Sequence, residues 1–169
     1  MLKILWLVLF LVPQDAPSIP RAEYKERREK VGKLLPEGLV LLRAEKLEEG
    51  EPGIDSNTAR FDFSYLAGSY KAGSVLAICG DLAILFTDDV EAAKKESAMD
   101  EIRKLDQYEL FLKETLPSAK IVYDWRHPWA RENKEASRKF REINPNVTVR
   151  TNVSDEVTKL RLVKSAAEL

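Results

Sequence analysis

The sequence predicts an α/β domain: a mixed β-sheet with one antiparallel hairpin and helices flanking it. Two apolar runs, SVLAIC and LAILFT, flank Gly80-Asp81, and a glycine placed first in a two-residue connection suits a type II′ hairpin. GLVLLRA meets no polar residue before Arg43 and reads as a strand covered on both faces. Elsewhere short apolar runs alternate with segments of helical period, and that alternation, with the hairpin, makes the sheet mixed.

Composition bounds the partners. At 169 residues, 44% of them hydrophobic and 33% charged, the chain suits one globular unit with its own core. Lys and Arg total 27 against 28 Asp and Glu, so a net charge of -1 gives no electrostatic reason to expect nucleic acid or an acidic membrane surface. Cys79, the single cysteine, sits in VLAICG and reads as a small buried hydrophobe, which excludes an internal disulfide framework.

The elements follow in chain order. One lysine precedes an apolar run from Ile4 to Val12, too short for a stable membrane span and suited to the core of a secretory signal over residues 1–16. Export is then expected, periplasmic or secreted. The alternative, an apolar strand or helix docked on the core, would keep the chain in the cytoplasm. Arg21 to Leu35 interleaves charge with Tyr24, Val31, Leu34 and Leu35, an amphipathic helix stopped by Pro36. After GLVLLRA, Glu45 to Arg60 reads as a long polar loop. Phe61, Phe63, Tyr65, Leu66 and Tyr70 then crowd one segment, implying either a packed turn feeding the hairpin or a contact surface.

Helical patterning is expected from Glu91 to Leu116 in two pieces, with Ile102, Leu105, Leu112 and Leu116 on one side of the second. AKIVYDW reads as a strand, Glu132 to Ile143 as a helix turning Ala136, Phe140 and Ile143 inward before Asn144-Pro145, and VTVRT as a last strand. Ser154 then caps a final helix whose Val157, Leu160, Val163 and Ala167 form an apolar stripe that needs cover.

Candidate chemistry is sparse. His127 is the only histidine and has no convergent partners in WRHPWAR. Asp88-Asp89 suits a helix start better than a cation. Gly32-Lys33 lacks the upstream glycine of a phosphate loop. The basic residues from Arg126 to Arg141, beside Trp125 and Trp129, are interrupted by Glu132 and Glu135, as on a solvated helix. Asn146-Val147-Thr148 and Asn152-Val153-Ser154 are glycosylation sequons that matter only in a host that glycosylates exported proteins.

Several of these segments together resemble a known family. Tyr24, Arg27 and Arg28, then Phe63, Tyr65, Leu66 and Gly68, then LAILF, are similar to successive elements of the N-terminal domain of Xaa-Pro aminopeptidases, relatives of prolidase and creatinase. Leu160, Arg161, Lys164, Ser165 and Glu168 resemble the L-R-x-x-K-S-x-x-E helix that opens that family's pita-bread catalytic domain. Many of these aminopeptidases carry Trp and Gly after an acidic residue beyond the LAILF-like strand. Here Glu91 is followed by Ala92, Ala93 and Lys94, so a substrate contact made there in relatives is not carried over.

The resemblance implies a creatinase-like N-terminal domain over residues 20–153 and a connecting helix over 154–169, with Val157, Leu160, Arg161, Val163 and Lys164 facing a catalytic domain supplied in cis or in trans. It implies two divalent metals, manganese, held by that other domain to activate water, and none bound by this chain. No catalytic or metal-binding residue is assigned here. Phe61, Phe63, Tyr65, Leu66 and Tyr70 become candidates for a substrate cleft or an oligomer contact, including a homo-oligomer. Two readings compete with this one. A stand-alone interaction module would bind another protein through the same aromatic segment, and a hydrolase of unrelated mechanism would need a nucleophile and base that the sequence does not show together.

Overall fold

The computed structural model describes residues 19–44, 56–69, 71–125 and 133–150. The leader, Tyr70, His127, Trp129, the second sequon and the final helix with Val157, Leu160, Arg161, Val163 and Lys164 lie outside them. The α/β expectation holds. Helix α1 (Arg21–Leu34) leads to β1 (Gly38–Arg43), α2 (Ser56–Ala67), the hairpin β2 (Val75–Cys79) and β3 (Leu82–Thr87), then α3 (Val90–Glu96) and β4 (Glu101–Lys104). A short 3-10 turn opens α4 (Tyr108–Thr115), followed by β5 (Ile121–Trp125), α5 (Asn133–Ile143) and β6 (Thr148–Arg150). One six-stranded sheet has the order β4-β3-β2-β1-β5-β6. Only β2 opposes its neighbours; the β1–β5, β5–β6 and β3–β4 pairs are parallel.

The period-2 rule assigns the two faces of the sheet. Val40 and Leu42 of β1 join Leu76, Ile78, Leu85, Tyr123 and Trp125 under α1 and α2, where Val31, Phe63 and Leu66 complete one core. Leu39 and Leu41 point the other way, joining Val75, Ile84, Phe86 and Val122 against Phe111, Leu112 and Phe140 of α4 and α5. Covering both faces is what permits β1 to be apolar from Leu39 to Leu42. The hairpin register brings Cys79 opposite Leu82, leaving Gly80-Asp81 as the two-residue turn. Gly80 has φ +58 while Asp81 stays out of the positive range, the signature of a type II′ turn.

Two expectations are corrected. The polar stretch from Glu45 to Arg60 is not loop to its end, because α2 begins at Ser56 and carries Phe61, Phe63, Tyr65 and Leu66 as helix. Phe63, Leu66 and Ala67, spaced i, i+3 and i+4, form its buried stripe. The helical reading of Glu91 to Leu116 also fails in its middle. The chain leaves α3 at Ser97 and enters β4, whose Ile84↔Glu101 to Thr87↔Lys104 register adds an edge strand to β3. Ile102 and Leu105 therefore pack on opposite faces of the sheet and do not share a helix side. Parallel pairing with β3 is a long-range gain that outweighs the local helical propensity of EIRK.

Helix α1 crosses the hairpin tip closely. A Cβ added at Gly32 would stand 2.4 Å from the Gly80 carbonyl oxygen, a rigid backbone atom. Gly32→Ala should therefore destabilise the fold by about 1–3 kcal/mol, although alanine is the better helix former. Urea denaturation measures this, and a gain in stability would show that α1 can slide away from the turn.

At α3, Asp89 accepts from the Ala92 N–H at 3.0 Å as N-cap and pairs with Lys71 at 2.8 Å. The hydrogen bond from Lys71, then that from Ala92, holds its carboxyl below the usual range. Its contribution to stability is thus complete above the ordinary carboxylate pKa of about 4 and disappears as pH falls through the lowered value. Asp89→Ala should lower the melting temperature at neutral pH, and the difference from wild type should close in acid.

Candidate functional site

The structure divides the aromatic segment. Phe63 and Leu66 are core residues of this unit, so the sequence reading of them as contact residues is corrected by their burial. Phe61 is 59% exposed, and Tyr65, one turn later, is half-buried. Of the described aromatic segment, Phe61 and Tyr65 are the residues that remain accessible.

The inner edge of α2 is held by arginines of α1. Arg27 and Arg28 are only 2% and 4% exposed. Arg28 donates from Nη1 to the Leu66 carbonyl at 2.8 Å and from Nη2 to the Ala98 carbonyl at 3.2 Å, with Asp100 at 3.9 Å. Arg27 donates to the Tyr65 carbonyl at 3.2 Å, and its guanidinium lies over the rings of Tyr65 at 4.2 Å and Tyr24 at 4.9 Å. At the start of α1, Arg21 donates to the carbonyls of Lys94 and Ser97 where α3 ends.

A helix leaves its last carbonyls unpaired and carries partial negative charge there, so a buried guanidinium at that end satisfies both needs. Burial pulls the Arg28 pKa below its ordinary value, with Asp100 and Glu29 opposing. Gly68, at φ +81 just past α2, lets the Ala98 N–H reach the Ala67 carbonyl at 2.8 Å. Any Cβ there would collide with Ala98. Thus Tyr24, Arg27 and Arg28 and the segment Phe63, Tyr65, Leu66 and Gly68, distant in sequence, form one clamp.

A second cluster lies on the opposite face, where sequence reasoning found nothing. Asp124 of β5 is fully buried, and Arg43 of β1 faces it with Nε at 3.6 Å from Oδ1. Arg43 Nη2 donates to the Tyr108 hydroxyl at 3.1 Å, and its guanidinium lies 5.3 Å from that ring's centre. Arg43 and Tyr108 border a groove of about 490 Å³ lined also by Val75, Leu112 and Phe140, with the Glu109–Lys139 ion pair and Glu135. An acid inside the apolar run IVYDW was the available signal, since a carboxylate is buried in a strand only with partners.

No group of three or more His, Cys, Asp or Glu side chains is placed to share a metal ion among the described residues. The carboxylates described above are committed to caps and ion pairs, so the donor set of a two-metal site does not fit here, and no chemical step through metals is assigned to these residues. Among them, no helix is long and apolar enough to cross a membrane.

With this geometry in view, the chain can be set beside solved structures. It superimposes on aminopeptidase PepP of Pseudomonas aeruginosa with a TM-score of 0.69 at 17% identity, covering 90% of this chain and 41% of that one. The chain shares its fold with part of aminopeptidase P. Proline aminopeptidase P II from Yersinia pestis gives 0.59 at 20% identity over 88% of this chain and 40% of its own. Aminopeptidase P from E. coli with the inhibitor Pro-Leu gives 0.59 at 20% identity over 89% and 40%. This chain therefore spans about two fifths of the length of these aminopeptidases. No protein-family model matches it, and no curated protein matches it in sequence.

Proposed function

We propose that this chain is the non-catalytic N-terminal lobe of an Xaa-Pro metalloaminopeptidase. The whole enzyme would release an N-terminal residue that precedes proline. The observation that supports this most strongly is the clamp. The two motifs that resemble the family's N-terminal domain are joined through Arg27 and Arg28 to the backbone of α2, in a fold that matches about two fifths of aminopeptidase P. On this reading the chemistry belongs to a partner domain, in cis or in trans, which holds two divalent metals, manganese, to activate water. The inhibitor Pro-Leu bound to the E. coli relative is consistent with a peptide substrate class.

The outer edge of α2, with Phe61 and Tyr65, would border the substrate cleft or an oligomer contact. Val157, Leu160 and Val163, with Arg161 and Lys164, would face the catalytic domain. An exported location through the 1–16 leader belongs to the same proposal. A second reading is favoured by the exposure of Phe61: a stand-alone interaction module that uses this aromatic edge and has no peptidase partner.

Hydrogen exchange across residues 154–169 of the purified monomer separates the two readings. The lobe reading expects weak amide protection there, rising when a catalytic domain is supplied. Strong protection in the monomer alone would favour the module.

A further inference from the structure

We propose that β4 is a pairing edge for a second copy of this chain, the two copies joining their sheets antiparallel about Ile102. This surface is distinct from the aromatic edge of α2, and the inference does not depend on the lobe reading. β4 and β6 are the two ends of the sheet, so among the described residues each offers backbone donors and acceptors with no strand beyond it. β4 has neither a proline nor a bulge to turn a partner away, since its register runs unbroken from Ile84↔Glu101 to Thr87↔Lys104. Charge is the remaining device for protecting an edge, and here the order of signs favours the same strand from another copy.

From Asp100 the chain reads Asp-Glu-Ile-Arg-Lys: two acids, one apolar residue and two bases. An antiparallel copy centred on Ile102 sets Glu101 opposite Arg103 and Asp100 opposite Lys104, each twice, with Ile102 facing its own counterpart. Residues directly opposed in an antiparallel pair share a face of the sheet. Glu101 and Arg103 lie on one face and Asp100, Ile102 and Lys104 on the other, so each opposed pair meets on one face under a single twofold axis. Glu101 and Arg103 are each 37% exposed and already pair along their own strand, and Asp100 is 73% exposed. Adding the copy completes a square of four charges with alternating signs. A slide of two places would oppose Glu101 to Glu101 or Arg103 to Arg103, and a slide of one would mismatch the faces, so the signs select one register. β6 has no such symmetry, because pairing about Val149 would only set Thr148 opposite Arg150.

A contact one short strand wide makes a weak dimer. Sedimentation of the full chain from about 10 µM to 1 mM, with amide chemical shifts, tests this. A monomer–dimer equilibrium half-complete near about 0.1 mM is expected, with saturable shifts at residues 100–104 and several-fold weakening in about 1 M sodium chloride. Glu101→Arg and Arg103→Glu should each be monomeric alone. Their equimolar mixture should associate at least as well as the wild-type chain, because each variant supplies the charge that the other lacks; this also shows that both remain folded. The proposal is overturned by a wild-type chain that stays monomeric throughout the range, or by a mixture of the two variants that does not associate. It is equally overturned by a wild-type dimer that the single substitutions leave unchanged, the result that association through Phe61 or the apolar stripe of the final helix would give.

Discussion

Arg28→Ala is expected to destabilise the fold by about 2–4 kcal/mol. The guanidinium is 4% exposed and is the donor to the Leu66 and Ala98 carbonyls, so truncation removes two charge-assisted hydrogen bonds and opens a void between α1 and α2. Arg28→Lys should recover only part of the loss, because one ammonium lacks the planar fork that reaches two carbonyls on separate segments. Denaturant titration with an unchanged slope is the measurement. If lysine restored full stability, the positive charge alone would suffice and the fork geometry would not matter. Tyr24 and Tyr65 flank Arg27 in the same way, so the arginine pair explains why two motifs far apart in sequence occur together.

Phe63→Ala should cost about 3–5 kcal/mol, while Phe61→Ala should change stability by no more than about 0.5 kcal/mol. The two residues lie two positions apart on α2, one fully buried under the sheet and the other in solvent. If the segment were a turn with both rings outward, the two substitutions would have similar, small effects. Equal losses would place Phe61 in the core and remove the exposed edge on which the partner contact depends.

Much of this architecture is legible in residue patterns. GLVLLR reads as a strand covered on both faces, and Gly80-Asp81 between two apolar runs suits the hairpin and the type II′ turn that the structure shows. What escaped detection has physical causes. The helix α2 starts in SNTAR, a polar first turn that resembles loop, and its buried stripe becomes visible only from Phe63 onward. β4 is four residues with alternating charge, and only β3 makes it a strand.

The candidate sites were less legible. Of the five residues whose crowding suggests a contact surface, Phe63 and Leu66 are core. The Arg43–Asp124 pair went unnoticed because its members are 81 residues apart (124 minus 43) and meet only through parallel pairing of β1 with β5. Arg27 and Arg28 were noticed as a motif, but their targets are backbone carbonyls, which carry no sequence signature.

The most direct test of the central proposal is an assay of this purified chain on an Xaa-Pro peptide with added manganese. The lobe reading predicts no release of the N-terminal residue above a metal-only blank, since the water-activating site is assigned to a partner domain. Turnover that tracks the pure chain and is removed by a chelator would contradict it, placing the metal chemistry within these 169 residues.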